Sequence, residues 1–451
     1  MNIKFSLLLV CAVFISNVIE AKEIKISSIE ELAKYAAESG NTINMAPGVY
    51  KLTDYLTLDV INARRNSKEF QYIIFSGSNN VFNLNGVEIE LDTEIRTLLN
   101  PPIHSDEFLV TGSNNSFLGL TIRCIGEGIS PGGTVLKVAG EVNILKDITL
   151  HVSGSYPYGY GDLFGKGKQK ETTVKHQKHS GLLVTGNKTK LYGCKVFSRS
   201  FGHCFFIQQN PKNVYFENCY AEGEVRTTDA VLAETSGPAF DVNFKTWTQN
   251  REGAYVVTPG YMKSLCEDGF RTYGKCENIT FKNCTAKNTR AGFELRFNDS
   301  ARLENCTTIG TERGYWIGDN TVLINSKGDA NYGPILFVEG SHVNVELTVD
   351  TAESDRLVHS LMTVFGDNNK IVLKAADGKK RTQELPILIG YTPPLHGESM
   401  SPYNEAEVSG LNLKNEIGMP ISIGKMAKSS TIETNGKIIE NKGENIEVVK
   451  R

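Results

Sequence analysis

Short apolar runs alternate with polar turns at a recurring spacing along most of the chain. Between Gly269 and Gly340, consecutive segments each contain a turn glycine, a short β-prone run, a Gly/Asn/Asp turn, a second run and a polar connector. Val, Ile, Phe, Tyr and Thr favour strands, whereas Gly, Asn and Asp favour turns with positive φ. A period of roughly 20 to 25 residues is typical of a solenoid, whose coils bury their apolar faces only against neighbouring coils. The pattern therefore predicts an all-β stack of coils.

Three long insertions interrupt the repeat, at 93–107, 155–180 and 224–268. Each leaves after the second run of one coil and returns before the first run of the next. Loops that leave a solenoid at one register project on one side, so we expect them to wall a single cleft. The middle insertion combines three tyrosines with Lys and His residues, which suits a sugar that carries carboxylate or sulfate. A solvated loop is the alternative interpretation.

A helix is predicted at about 28–39, at the start of the mature chain. Ser28 and Glu31 form a capping box, and Ile29, Leu32 and Ala36 fall on one apolar face. Because the helix precedes the first coil, we expect it to cap the open end of the stack.

The first 21 residues resemble a secretory signal peptide. A lysine precedes an apolar run that is too short to span a bilayer, and Ala21 is a suitable cleavage point. Lipoprotein anchoring at Cys11 is disfavoured because Val10 is a poor residue before it. We therefore expect a secreted or periplasmic protein with a mature domain at 22–451. The net charge of −3 gives no general electrostatic reason to bind nucleic acid or an acidic membrane.

Most of the eight cysteines that remain after residue 21 are predicted to be core residues. Four of them occupy the same point of successive repeats, where a small buried side chain stacked coil on coil explains them better than a disulfide: Cys194, Cys219, Cys284 and Cys306. Cys266 and Cys276 flank one coil start and are the one candidate disulfide. No cysteine spacing fits a zinc site, so no structural metal is expected.

Alignment of the turn glycines Gly269, Gly292 and Gly314 predicts which side chains face inward. Strand alternation then places an aromatic column inside, formed by Phe270, Phe293 and Tyr315. The outward-facing rows of side chains contain charged and aromatic residues that could bind or react. One row holds Arg271, Glu294 and Trp316, the next holds Tyr273 and Arg296, and Asp268, Arg290 and Arg313 stand just before the strands. His203 aligns beside Asp268 if Gln209 takes the turn position, whereas a slip of one residue would turn it inward.

The leader, the cap helix, the opening TINMAPGVY and a ladder of Asn-Cys-Thr elements together resemble the pectate-lyase-like superfamily. The ladder is carried by Asn283-Cys284-Thr285 and Asn305-Cys306-Thr307. The resemblance implies a single-stranded right-handed parallel β-helix. The superfamily includes polysaccharide lyases, polygalacturonase-type hydrolases, uronate epimerases and non-catalytic adhesins, so the fold does not fix the reaction. Gly202-His203 resembles the Gly-His element of polygalacturonases, but their paired-aspartate pattern is not present.

Three reactions fit the outward patch. In β-elimination of a uronate, Arg271, Arg296 and Arg313 would neutralise the carboxylate, while His203, Tyr273 or Lys263 would act as base and acid. In hydrolysis, Asp268 and Glu294 would form the carboxylate pair, with four acidic residues in reserve: Glu267, Glu234, Asp229 and Asp241. An epimerase would use lyase-like residues with two proton donors.

The sequence thus predicts a secreted enzyme that degrades a uronate-containing or otherwise acidic polysaccharide by β-elimination. Hydrolysis on the same face and non-catalytic carbohydrate binding are the alternatives. The predicted catalytic residues are His203, Asp268, Arg271, Tyr273, Glu294 and Arg296, and the predicted substrate-binding residues are Tyr261, Lys263, Arg290, Arg313, Trp316, Glu234 and Asp241. No cofactor is required; the resemblance to pectate lyases allows a Ca²⁺ ion on outward carboxylates, although no spacing demands one. The expected partner is a polysaccharide or oligosaccharide substrate, with no nucleic acid and no membrane span.

Overall fold

The chain folds as a parallel β-helix. The computed structural model describes residues 22–167, 172–250, 253–296, 299–350, 360–376, 384–392 and 404–450, so the predicted signal peptide and Cys11 lie outside the described residues. Nearly every strand pairs in parallel with its equivalent one coil away, and these strands join one sheet of 37 in the described part of the chain. Phe205, Phe270, Phe293 and Tyr315, for example, occupy one register on four successive coils.

Each complete coil contributes three strands. The first strands, which form the face that carries the site, are Ile73–Phe75, Ser105–Val110, Gly133–Val138, His179–Val184, Phe205–Ile207, Phe270–Thr272, Ala291–Leu295, Arg313–Ile317, Leu336–Glu339, Met362–Asp367, Ile387–Ile389, Ile421–Ile423 and Ile438–Asn441. The second strands are Lys22–Ile26, Asn41–Met45, Val81–Asn83, Ser116–Leu118, Ile144–Lys146, Lys190–Tyr192, Tyr215–Glu217, Ile279–Lys282 and Ala301–Glu304. The third strands are Gly48–Lys51, Val87–Asp92, Thr121–Ile125, Thr149–Ser153, Lys195–Arg199, Tyr220–Glu222, Thr285–Lys287 and Thr307–Ile309.

Toward the C-terminus the second and third strands merge. Val322–Gly328 pairs with both kinds of strand, and the later coils continue this arrangement through Asn344–Val349, Lys370–Ala375, Val408–Ser409, Asn412–Asn415, Ala427–Thr434 and Glu444–Lys450. Two small antiparallel pairs lie outside the stack: Val225–Thr227 with Met262–Ser264, and Tyr391–Thr392 with Asn404–Glu405.

The described helices are short and lie before or between coils: Ile29–Ala36, Leu52–Tyr55, Leu58–Ser67, Glu94–Leu99, Thr228–Leu232 and Pro238–Asp241. The hydroxyl of Ser28 accepts a hydrogen bond from the Glu31 backbone N–H, and Ile29, Leu32 and Ala36 are buried. The first helix therefore occupies the predicted place, although it ends at Ala36. In the described part of the chain, none of the helices has the length and apolar character needed to cross a membrane.

Aromatic rings stack along the interior, as the glycine alignment predicts. The rings of Phe205, Phe270, Phe293 and Tyr315 succeed one another at centroid distances of 5.0, 4.7 and 5.4 Å, and their planes are nearly parallel. All four side chains are buried. The inward assignment of Phe270, Phe293 and Tyr315 is confirmed.

Asparagines form a ladder at the turn between the second and third strands. Asn283 and Asn305 have φ values of 53° and 54°, in the left-handed region that asparagine tolerates. The Asn283 amide donates to Asn218, and the Asn305 amide donates to Asn283, both at 3.1 Å. The Asn-Cys-Thr element therefore marks a turn, and it recurs because successive coils make the same turn on top of one another.

All eight cysteines of the described chain are free thiols. The four cysteines of the repeat are buried, as predicted. The candidate disulfide is wrong: the Cys266 thiol contacts the Cys204 thiol, whereas the Cys276 thiol lies 3.4 Å from the Tyr273 carbonyl. Cys266 and Cys276 flank one coil start in the sequence, but their sulfur atoms are not bonded to each other.

The three insertions leave the stack at one corner, between a third strand and the next first strand. The second and third insertions also pack against each other. They share a separate apolar cluster to which Tyr160, Leu163 and Phe164 contribute from one side, and Val231, Ala239 and Val257 from the other. This cluster holds the two insertions against each other.

Candidate functional site

A cleft of about 470 Å³ lies where the insertions meet the first-strand face. Its walls include Ile103 and His104 from the first insertion, and Lys166, His176 and Lys178 from the second. The third insertion contributes Glu267, and the coils themselves contribute several further side chains: Lys137, Phe206, Gln208, His203 and Tyr273. A cleft walled by all three insertions is what their common register predicts, but it is not single: a second cleft of about 690 Å³ lies on the third-strand side and also borders the second and third insertions at Tyr158 and Glu224.

Two glycines place His203 and Asp268 beside each other. A Cβ atom on Gly202 would lie 2.0 Å from the His179 carbonyl oxygen, so only glycine permits this close approach. A Cβ atom on Gly269 would lie 2.8 Å from the Ala286 Cβ atom, inside the coil. Since Gly269 and Phe270 both face inward, strict alternation is broken before the strand and Asp268 faces the same side as Arg271. The pairing of Phe205 with Phe270 confirms the predicted alignment of His203 with Asp268.

Asp268, His203 and Tyr273 form a chain of polar contacts that ends at the cleft. The Asp268 carboxylate lies 3.2 Å from His203 Nδ1, and His203 Nε2 lies 2.7 Å from the Tyr273 hydroxyl. Nδ1 also faces the Asp268 backbone N–H at 3.4 Å, and Nε2 lies 3.4 Å from Glu267 Oε2, so the contacts allow both tautomers. In the tautomer protonated at Nδ1, the ring donates to the Asp268 carboxylate, a stronger acceptor than a neutral group. The other ring nitrogen, Nε2, is then an acceptor for the Tyr273 O–H. This is the arrangement that activates a hydroxyl in an acid–base triad.

Tyr273 is a protonated phenol at neutral pH. Burial raises the pKa of its hydroxyl to about 12, against the opposing effect of the Arg271 guanidinium. That guanidinium lies over the Tyr273 ring, 4.4 Å from its centroid. The hydroxyl is thus a proton donor in the resting site, and it acts as a base only when His203 takes its proton.

A layer of ion pairs lies beneath the cleft. The Arg290 guanidinium donates to Asp268 at 3.0 Å and to Glu267 at 3.2 Å, and Arg271 and Arg296 both pair with Glu294. Burial alone would raise the pKa of the Asp268 carboxyl, but Arg290, His203 and Arg271 hold it well below its usual range. The layer therefore keeps Asp268 ionised and able to orient His203.

Of the predicted catalytic residues, only His203 and Tyr273 line the cleft. Asp268 and Glu294 are 0% and 2% exposed, and cationic side chains bind both of them, so neither can flank a glycosidic bond as hydrolysis requires. Arg271 is also buried, and Arg296 lies over the Trp316 ring at 4.3 Å. The predicted outward patch exists, but most of it is buried.

None of the predicted substrate-binding residues lines the cleft. Lys263 is buried and bridges Asp162 and Glu312 at 2.8 and 3.0 Å, which contradicts both its predicted substrate contact and its acid–base role. The other buried members are Arg290, Arg313 and Trp316, whose indole N–H donates to Glu339. The remaining three lie in the third insertion outside the cleft: Tyr261 packs on Tyr332, Glu234 accepts from Tyr160 and Arg226, and Asp241 is exposed.

Three basic residues of the second insertion line the cleft but were not named individually from the sequence: Lys166, His176 and Lys178. Lys178 pairs with Glu267 at 2.7 Å and lies 5.1 Å from the centroid of the Phe201 ring. The Lys/His-rich composition of this insertion was the available clue. Which members face the cleft depends on how the insertion folds, and local periodicity does not determine that.

His176 is expected to make the protein less stable as the pH falls. Burial, aided by the Lys178 charge, lowers the pKa of His176 to about 4 from 6.5. Between those values the unfolded chain binds a proton that the folded chain does not, so stability rises with pH across this window. The full shift corresponds to about 3 kcal/mol. Urea denaturation at neutral pH and near pH 4.5 should show a smaller acid loss for His176→Phe than for the parent; equal losses would contradict this assignment.

The residues near the cleft do not fit a calcium ion. Among the described residues, no group of three or more His, Cys, Asp or Glu side chains is arranged to hold a metal. The carboxylates of Glu267, Asp268 and Glu294 each face a lysine or arginine nitrogen. Arginine and lysine thus occupy the places where calcium would need oxygen ligands.

Comparisons with known proteins bear on the fold. No protein-family model matches the sequence, and no curated protein matches it. Among solved structures, the chain is similar to the A-module of the mannuronan C-5 epimerase AlgE6 of Azotobacter vinelandii, with a TM-score of 0.46 and 12% identity over 89% of this chain and 99% of that one. It is also similar to a PL6 alginate lyase solved with a trisaccharide, with a TM-score of 0.45 and 10% identity over 93% of this chain and 86% of that one.

A third similar structure is the endo-xylogalacturonan hydrolase of Aspergillus tubingensis, with a TM-score of 0.40 and 8% identity over 95% of this chain and 93% of that one. These proteins carry out three different reactions, and at such low identity the similarity concerns the fold alone. The strand pairing described above establishes that fold independently. The chain therefore has a parallel β-helix fold.

Proposed function

We propose that the chain cleaves a uronate-containing polysaccharide by β-elimination in the cleft. The observation that carries this proposal is the contact chain from Asp268 through His203 to the Tyr273 hydroxyl, which ends among lysine side chains. A phenol paired with a histidine can remove and return a proton. Lysines suit the neutralisation of a sugar carboxylate.

The reaction needs a base, an acid and a positive charge. Tyr273 passes its proton to His203 Nε2, and the phenolate removes the C5 proton of the uronate. The bond from C4 to the glycosidic oxygen breaks, a C4–C5 double bond forms, and the leaving oxygen takes the proton now held by Tyr273. His203 then returns its proton to Tyr273, so the site ends as it began. Such acid–base catalysis contributes typically about 10²- to 10⁴-fold.

Lysines take the charge-neutralising role that the sequence assigned to arginines. Lys137, Lys166 and Lys178 line the cleft, whereas Arg271 and Arg313 are buried beneath it. A cation beside the uronate carboxylate makes the C5 proton more acidic because it stabilises the carbanion-like transition state. The N-terminal leader predicted from the sequence favours export, which would bring the enzyme to an extracellular or periplasmic polymer.

The test uses purified mature protein and a panel of pectic, alginate, glycosaminoglycan and neutral polysaccharides. Ultraviolet absorbance of the unsaturated uronate and the release of reducing ends are followed together. We expect both to rise in equal molar amounts on at least one acidic polymer and on no neutral one. Reducing ends without absorbance would contradict elimination and indicate hydrolysis.

Epimerisation and binding without catalysis are distinguished in the same panel. An epimerase shares the removal of the C5 proton but returns a proton to the opposite face, so the polymer would change its uronate composition without new ends. A binding protein would retain the polymer and change nothing. Either outcome would leave the fold description intact and overturn the proposed reaction.

A further inference from the structure

We propose that His176, together with Lys166 and Lys178, forms a subsite that holds the carboxylate-bearing face of an acidic sugar unit in the cleft. The inference deepens the proposed function and rests on it for the reaction, but the binding it describes is measured separately. None of these three residues belongs to the Asp268–His203–Tyr273 chain. They all come from the second insertion, which a bare β-helix would not need.

The main observation is an imidazole without a polar partner. His176 is 3% exposed, and neither ring nitrogen has a hydrogen-bond partner among the described residues. A buried polar group left in this state costs about 1–3 kcal/mol. The ring lines the cleft and packs edge-to-face on Phe201 at 5.1 Å, but in this conformation both nitrogens have almost no accessible surface. A substrate oxygen supplies the missing partner once the ring turns toward the cleft.

Positive charge accompanies this imidazole. The Lys178 ammonium also lies over the Phe201 ring. One of its three N–H groups donates a hydrogen bond to the Glu267 carboxylate. The Lys166 ammonium lies 4.0 Å from Asp162 and lines the same cleft. Burial and the charges of Arg290 and Arg313 hold the pKa of Lys166 well below its usual range, so an anion bound in the cleft would favour the protonated form of this lysine. Glu267 and Asp106 are the acidic groups among the described residues that line the cleft; Glu267 is paired with Lys178 and Arg290, and Asp106 is paired with Lys137.

These features together select an acidic sugar. The imidazole offers one N–H donor and one acceptor nitrogen, which suits a carboxylate oxygen beside a hydroxyl of the same ring. The ammonium groups supply a charge that a neutral sugar would not use. A site whose buried polar groups are matched by the ligand discriminates strongly against an analogue that leaves them unpaired. Reducing the carboxyl groups of the ligand to alcohols should therefore abolish most of the contribution of His176.

The test measures binding in the Tyr273→Phe background, where turnover does not consume the ligand. Isothermal titration is carried out with oligogalacturonate, oligomannuronate and oligoguluronate, and with the carboxyl-reduced form of each. His176→Phe keeps the packing on Phe201 but removes both nitrogens, whereas His176→Gln keeps a donor and an acceptor. We expect His176→Phe to weaken binding of an acidic oligosaccharide at least tenfold and His176→Gln to weaken it less than threefold. Neither should change binding of the carboxyl-reduced form.

Lys282→Ala is the matched control, because Lys282 pairs with Glu217 on the second-strand face and does not line the cleft. It should bind as the parent does. Thermal unfolding of each variant establishes folding, and Lys178→Met replaces His176→Phe if the latter does not fold. Equal affinity of the variant and the parent, an equal loss for acidic and reduced ligands, or no binding of any acidic ligand by the parent would each overturn the subsite. If His176→Phe weakens binding as expected but the parent shows no elimination activity, the subsite stands and only the proposed reaction is overturned.

Discussion

Tyr273→Phe is expected to lower the turnover number for polyuronate cleavage by about 10²- to 10⁴-fold. The substitution removes the hydroxyl that exchanges a proton with His203 at 2.7 Å and leaves the ring in place beneath Arg271. Because the hydroxyl acts on the reacting proton rather than on the bound sugar, KM should change little. Initial rates of absorbance increase against substrate concentration measure both quantities.

Tyr215→Phe provides the matched control. The Tyr215 hydroxyl donates a hydrogen bond to the Glu217 carboxylate at 2.9 Å. Burial raises the pKa of this hydroxyl to about 12, as it does for Tyr273. Tyr215 lies on the second-strand face and does not line the cleft, so its loss should leave the rate unchanged. A Tyr273→Phe enzyme with parental turnover, or equal loss in both variants, would contradict the assigned role.

Arg290→Met should have the largest effect on stability, a loss of about 3–5 kcal/mol in the free energy of unfolding. The Arg290 guanidinium is buried and pairs with both Asp268 and Glu267. Its removal leaves two buried carboxylates with less compensation. Their pKa values should rise, so the destabilisation should be smaller at low pH, where protonation relieves the unpaired charge. Urea denaturation at neutral and acidic pH measures both effects.

Arg302→Met tests whether burial is the cause. Arg302 pairs with Glu304 at 3.2 Å, but both side chains are about a third to a half exposed. Exposed pairs of this kind contribute about 0–1 kcal/mol. Similar losses for the two variants would mean that the ion pairs beneath the cleft are ordinary surface contacts, and the description of a covered charged layer would be wrong.

The repeating part of the fold could be predicted from the sequence because the residues that determine it are close in the chain or one coil apart. Alternation and the turn glycines were enough to place Phe270, Phe293 and Tyr315 inside. Of the two alignments that the sequence left open for His203, the one with Gln209 at the turn put it beside Asp268, as the strand pairing shows. The asparagine turns follow from a conformational preference of single residues. Each of these inferences depends on neighbours in the chain or on the equivalent position one coil away.

The site could be predicted from the sequence only in part, because the fold of the insertions determines which residues reach it. Outward positions of a bare solenoid are exposed, so Arg271 and Glu294 were expected to reach a substrate; both are instead buried, paired with each other and with neighbouring charged side chains. Lys263, in the third insertion, was expected to reach a substrate and instead bridges Asp162 and Glu312. Such contacts join residues about fifty to a hundred positions apart, which no periodic pattern encodes.

The crystal structure of the Tyr273→Phe variant with an acidic oligosaccharide that the parent cleaves would test the central claim most directly. We expect the sugar in the cleft, with the C5 atom of one uronate within about 3–3.5 Å of the position of the missing hydroxyl and a carboxylate against the lysines of the second insertion. An oligosaccharide bound outside the cleft would contradict the account. So would a glycosidic bond held far from His203 and residue 273.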